Sequence, residues 1–303
     1  MNPLRLGSRG SALAMWQAHW VAEQLTRLGH TVEVVTIATS GDQYSGPIGP
    51  TSGIGLFTKE LQRALLDHRV DLAVHSLKDL PTEPVEGLVL AVVPERAPAA
   101  DALLSRDGSK FRELPQGATI ATSSVRRKAQ LLFARSDLKI VPLRGNVDTR
   151  LRKLGEGQFQ AMILAEAGLT RLGLAERITE RLSLRVMLPA VGQGALGIET
   201  RADDAQTRAA VAGLDHPATH AAVRAERALL AGLRGGCLAP VAALARKEEH
   251  GLVLTARVLS ADGAEMLEHS ALGAPGAAEE LGRRTADALL AQGAGRMIAE
   301  SRE

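Results

Sequence analysis

Basic residues stand just beyond strand-like apolar runs at four places in the chain: Arg9 in LGSRGS, Lys78 in VHSLKDLP, Arg126 and Arg127 in TSSVRR, and Arg144 with Arg150 in LRGNVDTR. In an open parallel sheet, ligands collect beyond the carboxyl ends of the strands, where the next helix offers unpaired N–H groups. Arginine presents a planar fork matched to carboxylate or phosphate, so several converging on one cleft point to a small molecule carrying several such groups. A single arginine is more often a solvated surface residue or half of an ion pair, and it is the repetition at equivalent places that favours a polyanionic ligand. If Ser124 caps a helix, Arg126 and Arg127 fall in its first turn, where the macrodipole disfavours cations and a bound anion reverses the penalty.

Asp79 follows Lys78 directly and lies near His75. An aspartate before Leu-Pro is commonly a turn residue. At a strand end among cations it stays ionised, and it could hold a protonated amine or a pyrrole N–H, or stabilise a developing carbocation. Cys237, the one cysteine of the chain, sits in LRGGCLAP. A free cysteine is usually a small buried hydrophobe. The glycine pair and the proline make this a loop and favour a thiol reachable by something bulky, with Arg234 favouring the thiolate.

Two other patterns fail on context. Gly192, Gly194 and Gly197 form G-x-G-x-x-G, but no amphipathic helix follows as a dinucleotide fingerprint requires, so the segment reads as a hinge between domains. His216 and His220 have helical spacing without further ligands, and Asp215-His216-Pro217 reads as a helix start. No metal site is expected.

The elements that must position these residues alternate. Residues 4–8 read as a strand, and Ser11 caps a helix whose apolar residues Leu13, Trp16, Trp20, Leu25 and Leu28 recur at helical spacing until Gly29. Strand 31–37, helix 56–68 and strand 70–75 follow, a βαβαβ order that favours a parallel sheet. Residues 41–55 hold five glycines and two prolines, which predicts a lid. After the strand 87–95, RAPAAD (96–101) reads as a linker. The pattern then restarts through TIATS, VRRKAQLLFAR, KIVPLR, NVDTRLRKL and AMILA. LPAVGQGALGIE (188–199) returns the chain to the first unit. From residue 217 a helix, two strands and a closing helix read as α+β. The expected fold is therefore α/β, with two doubly wound domains (1–95 with 194–214, and 99–190) and a smaller α+β C-terminal domain (217–303).

Composition sets the bounds. The length of 303 residues suits about two domains at roughly 150 residues each, and 45% hydrophobic with 23% charged residues is ordinary for a globular chain. Aromatics are only 2%, too few for base-stacking platforms, and a net charge of +2 supplies no global field to draw in nucleic acid or a membrane. No apolar run reaches about 18 residues, and the start of the chain lacks an uninterrupted apolar core for a signal peptide. With a single cysteine as well, a cytoplasmic protein is expected.

The segments LRLGSRGSALAMWQA, GLFTKELQRALLDHRVDLAVHSLKDLPTE, ATSSVRRKAQL, LRGNVDTRLRKL, AMILAEAGLTRLGL, LPAVGQGALGIE and ERALLAGLRGGCLAP occur in an order that resembles the porphobilinogen deaminase (hydroxymethylbilane synthase) family almost end to end. The resemblance implies two domains similar to type II periplasmic binding proteins and a third carrying a covalent dipyrromethane cofactor, thioether-linked to Cys237. It implies a transferase of tetrapyrrole and heme biosynthesis that deaminates porphobilinogen, joins four units head to tail and releases hydroxymethylbilane by hydrolysis; nothing in the sequence demands more than a monomer. By matching, Asp79 is the catalytic carboxylate. Arg9, Ser11, Lys78, Ser124, Arg126, Arg127, Arg144, Arg150 and Arg171 correspond to residues binding acetate and propionate groups. Gln193 falls in the hinge motif and Phe57 after the lid. Family members commonly read GGKGLF where this chain reads SGIGLF, so Ile54 replaces a lid lysine, and Ala100 replaces an arginine. A solute-binding protein that closes over an anion, and an inactive homologue with a regulatory role, are the alternatives.

Overall fold

The computed structural model describes residues 2–38, 58–236 and 239–301. Along the chain run β1 (Leu4–Ser8), α1 (Ala12–Arg27), β2 (Val32–Thr36), α2 (Lys59–Leu66), β3 (Leu72–Ser76) and β4 (Leu88–Val92). Next come β5 (Asp101–Ser105), β6 (Thr119–Ala121), α3 (Val125–Ala134), β7 (Lys139–Val141), α4 (Val147–Gly155), β8 (Ala161–Ala165), α5 (Glu166–Arg171) and β9 (Glu180–Arg181). The chain finishes with β10 (Leu196–Arg201), α6 (Ala205–Val211), α7 (Pro217–Gly232), β11 (Val241–Glu248), β12 (Gly251–Leu259), β13 (Met266–Gly273), α8 (Ala278–Ala291) and α9 (Ala294–Glu300).

These strands form three sheets, ordered β2-β1-β3-β10-β4, β7-β6-β8-β5-β9 and β11-β12-β13. Alternation along β3 explains why the first sheet is covered on both sides. Leu72 and Val74 pack with Ala18, Val21 and Leu25 of α1. Ala73, pointing the other way, packs with Leu61, Ala64 and Leu65 of α2. The second sheet repeats the plan. Leu103 and Ile163 join Leu131 of α3, while Ala102, Leu104, Met162 and Leu164 join Leu154 of α4 and Leu169 of α5. Strands buried on both faces read as continuous apolar runs, which is why LAVHS and AMILA stood out in the sequence. The third sheet is antiparallel and packs α7 and α8 in one aliphatic cluster. Gly282 on α8 lets the two helices close up, because a Cβ there would lie 2.3 Å from the Ala225 carbonyl oxygen.

Two expectations need correction. The sheets are mixed: β1, β2 and β3 are parallel, as are β6, β7 and β8, but β10 runs antiparallel to both β3 and β4, and β5 antiparallel to β8 and β9. The cause is topological, since a chain that leaves one sheet for the next and later returns supplies strands of opposite sense. The segment 96–101 is not all linker, because Asp101 is the first residue of β5. The lid expected over 41–55 lies outside the described residues.

The outgoing and returning crossovers lie side by side. Ala97 N donates to Gly194 O at 3.2 Å. Gly194 has φ of +85°, and a Cβ there would lie 2.4 Å from the Ala97 oxygen. Arg96 on the outgoing crossover donates through Nε to Gln193 O at 2.7 Å, and through Nη1 and Nη2 to Glu226 of α7 at 2.6 and 3.1 Å. The fully buried Glu226 also accepts from Gly192 N at 2.7 Å and Ala245 N at 2.9 Å. One carboxylate thus joins both crossovers to α7 and β11. Replacing it leaves Nη1 and Nη2 of the mostly buried Arg96 and two backbone N–H groups without their acceptor, so Glu226→Ala is expected to lower stability by about 3–5 kcal/mol in urea unfolding.

Candidate active site

The predicted strand ends carry the predicted residues. Beyond β1, Ser11 caps α1 and accepts from Ala14 N at 3.3 Å. Beyond β3, a single 3-10 turn, Leu77–Asp79, presents half-buried Lys78 and exposed Asp79. Beyond β6, Ser124 caps α3 and accepts from Arg127 N at 3.4 Å. Beyond β7, Gly145 (φ +107°) turns the chain into α4, and Arg150 folds back to donate to Gly145 O at 2.8 Å. Arg144 is exposed beside that turn. A cleft at the ends of β1 and β3 is lined by Arg9, Ser11, Gln17, Thr58, His75, Ser76 and Asp79, among others.

Arg126 and Arg127 act electrostatically on Lys78. Arg171, at the end of α5, crosses to the first unit, donating to Gly194 O at 2.8 Å with its guanidinium carbon 5.7 Å from the centre of a ring of Trp16. Trp16 is 37% exposed, and the buried face of α1 is Gln17, Ala18, Val21 and Leu25. Cys237 and Phe57 lie outside the described residues. Nothing joins His216 and His220 in one site: His216 caps α7, while His220 Nδ1 is 2.8 Å from Asp215. No group of three or more metal-ligating residues occurs among the described residues.

Sequence reasoning missed Asp101. This carboxylate, fully buried at the start of β5, lies against Arg126 and Arg127. Asp101 Oδ2 lies 2.8 Å from Arg126 Nη1. Oδ1 accepts from Arg127 Nη2 at 2.7 Å, Arg127 Nε at 3.0 Å and Gln193 Nε2 at 3.1 Å. Burial raises the Asp101 carboxyl, but the two guanidiniums outweigh it and leave it at about 2. Two cations on one anion still leave one positive charge over. Also missed was the buried Glu199, one oxygen of which lies 3.1 Å from His75 Nε2 while the other accepts from Gln62 at 3.1 Å. The available signal was a charged residue inside each apolar strand, Asp101 before ALL and Glu199 after LGI.

Lys78, Arg150 and Arg171 form no ion pair with a described carboxylate. Burial pushes the Lys78 ammonium below its usual value, opposed by Asp79 and reinforced by Arg127. Burial likewise lowers Arg150 and Arg171 to about 10, with Arg127 adding to the effect at Arg150. Partly buried cations that form no ion pair with a described carboxylate are what a ligand carrying several carboxylates requires, so the residues present fit a polycarboxylate cofactor such as dipyrromethane. Gln193 Oε1, buried without a partner, is a further unused acceptor beside them.

The depressed Asp101 carboxyl stabilises the fold above the ordinary carboxylate range, and that contribution is lost as pH falls toward about 2. Asp101→Asn is expected to cost about 3–5 kcal/mol at neutral pH. Its deficit relative to the parent should shrink between pH 4 and 2 in denaturation curves taken across that range.

A family model described as the dipyrromethane cofactor binding domain of porphobilinogen deaminase matches residues 4–209, and one for the C-terminal domain of the same enzyme matches residues 220–291. A porphobilinogen deaminase from Desulforudis audaxviator is 50% identical across 98% of this chain and 97% of its own length. One from Syntrophotalea carbinolica is 49% identical across 98% and 96%. Among solved structures, a periplasmic substrate-binding protein of an ABC transporter from Coxiella burnetii is 19% identical, covering 72% of this chain and 94% of that one, with a TM-score of 0.43. With both domain models matched in order and relatives about half identical over nearly its whole length, this chain belongs to the porphobilinogen deaminase family.

Proposed function

We propose that this chain deaminates porphobilinogen and joins four units head to tail, releasing hydroxymethylbilane by hydrolysis, from a dipyrromethane primer thioether-linked to Cys237. The observation that carries this reading is the turn beyond β3 that presents Lys78 and Asp79 together, with Arg127 acting electrostatically on both Lys78 and Arg150 and with no ion pair from Lys78, Arg150 or Arg171 to a described carboxylate. When bound, the cofactor supplies the pyrrole carbon to which the first incoming unit is joined.

The chain's own residues bind, orient and stabilise. Arg9, Ser11, Lys78, Ser124, Arg126, Arg127, Arg144, Arg150 and Arg171 receive acetate and propionate groups, and each added pyrrole brings two more carboxylates that need them. As the aminomethyl C–N bond of porphobilinogen breaks, its electron pair leaves with the ammonia and positive charge develops on the carbon and the ring. Asp79 accepts a hydrogen bond from the pyrrole N–H and stabilises that charge. Residues 1–95 with 194–214 carry Asp79, 99–190 the paired arginines, and 217–303 the attachment cysteine, with Gln193 on the crossover between the first two units. No described helix is long and apolar enough to cross a membrane. The reading is of a cytoplasmic monomer acting on a small molecule, without nucleic acid or membrane partners.

Asp79→Asn tests the carboxylate. Introduced into protein already carrying its cofactor, it is expected to keep the fold and the adduct and to lower kcat by roughly a hundredfold or more, as for removal of an electrostatic stabiliser. Near-parental turnover in a steady-state assay would remove Asp79 from this role.

A further inference from the structure

We infer that Arg227, on α7, is a positioning residue for Asp79. The inference rests on the role given to Asp79 above. The turn that presents Asp79 is anchored on one side by the first sheet, where Leu77 N donates to Ala195 O at 3.0 Å. On the other side the chain leaves through Leu80 and Pro81, and Arg227 holds both. Its Nη1 donates to Leu80 O at 2.9 Å and its Nη2 to Pro81 O at 2.6 Å.

A guanidinium is best satisfied by a carboxylate. Arg227 forms no ion pair with a described carboxylate and directs its fork at two neutral main-chain carbonyls. Burial lowers its pKa, with the Glu199 carboxylate opposing. Holding a partly desolvated charge on neutral acceptors gains little stability, but it fixes the path of the two residues that follow Asp79. Val223, one turn earlier on the same face of α7, packs against Leu77 and Leu80 in a small buried cluster. The helix therefore grips the Asp79 turn through one apolar and one charged side chain. The same helix ends at Gly232, shortly before Cys237 in sequence. Arg227 thus ties the carboxylate to the helix that leads to the attachment cysteine.

The test uses the holoenzyme with Arg227→Met and Arg227→Lys. Three quantities are measured: adduct on Cys237 by intact mass, amide exchange across residues 77–82, and kcat and KM per loaded molecule. Arg227→Met is expected to carry the adduct, to exchange faster at 77–82, and to lose roughly tenfold or more in kcat with KM within about twofold, as for a misplaced catalytic group. Arg227→Lys, which keeps the charge and one donor, should recover part of both losses. Parental exchange and parental kcat per loaded molecule in Arg227→Met would overturn the inference. So would a loss that only tracks the amount of folded, loaded protein. If Arg227→Met fails to fold, the same two readings on Arg227→Lys decide. Exchange needs no turnover, so a parent chain that never gained the adduct would count against the proposed function while the grip on residues 77–82 was still measured.

Discussion

Two guanidiniums in the first turn of one helix, both more than nine-tenths buried, can be tolerated only if a negative charge lies against them, and Asp101 is that charge. Its position ties several features together. It heads β5, so the first strand of the second unit starts at the carboxylate that both arginines share. It also accepts from Gln193 on the returning crossover, so the path back to the first sheet is fixed by the same carboxylate. One anion against two cations leaves the region positive, beside Lys78, Arg150 and Arg171, which lack carboxylate partners among the described residues. A ligand rich in carboxylates completes the balance that the chain leaves open.

Glu226 plays the matching part for the third unit. It takes two bonds from Arg96, one from Gly192 and one from Ala245, and so joins both crossovers to α7 and to β11. Close backbone approach at Gly194 keeps those crossovers parallel in space, with no room for a side chain. Asp101 and Glu226 are thus buried acids whose partners come from elements far apart in sequence. Together they fix the cation-lined strand ends relative to the helix that precedes Cys237.

The residues at strand ends were legible in the sequence because a strand, a capping residue and a helix form a local pattern. Ser11, Ser124, Lys78 and Asp79 stand where that pattern puts them. The buried acids were not legible. Asp101 meets Arg127 across 26 residues, Arg96 meets Glu226 across 130 and Gln62 meets Glu199 across 137, pairings that only the tertiary fold brings about. Local pattern also failed at β11, where VAALARKE mixes an apolar run with charges, and at β9, only two residues long. Antiparallel β10 was legible as a return to the first sheet but not in its sense, because strand direction is set by the crossovers and not by residue type. Trp16 was read as part of an apolar stripe and instead lies under Arg171, a contact between units that helical spacing cannot reveal.

The central claim is that this chain builds and uses a covalent primer on Cys237 within a cleft prepared for carboxylates. Intact mass of the denatured protein, before and after incubation with porphobilinogen, tests it most directly, with peptide mapping of any adduct and Cys237→Ser as the control. The account predicts a final mass exceeding that of the bare chain by two porphobilinogens less two ammonias, carried on the peptide containing Cys237 and absent from Cys237→Ser. A parent chain that stays unmodified after incubation, or an adduct held at another residue, would contradict it.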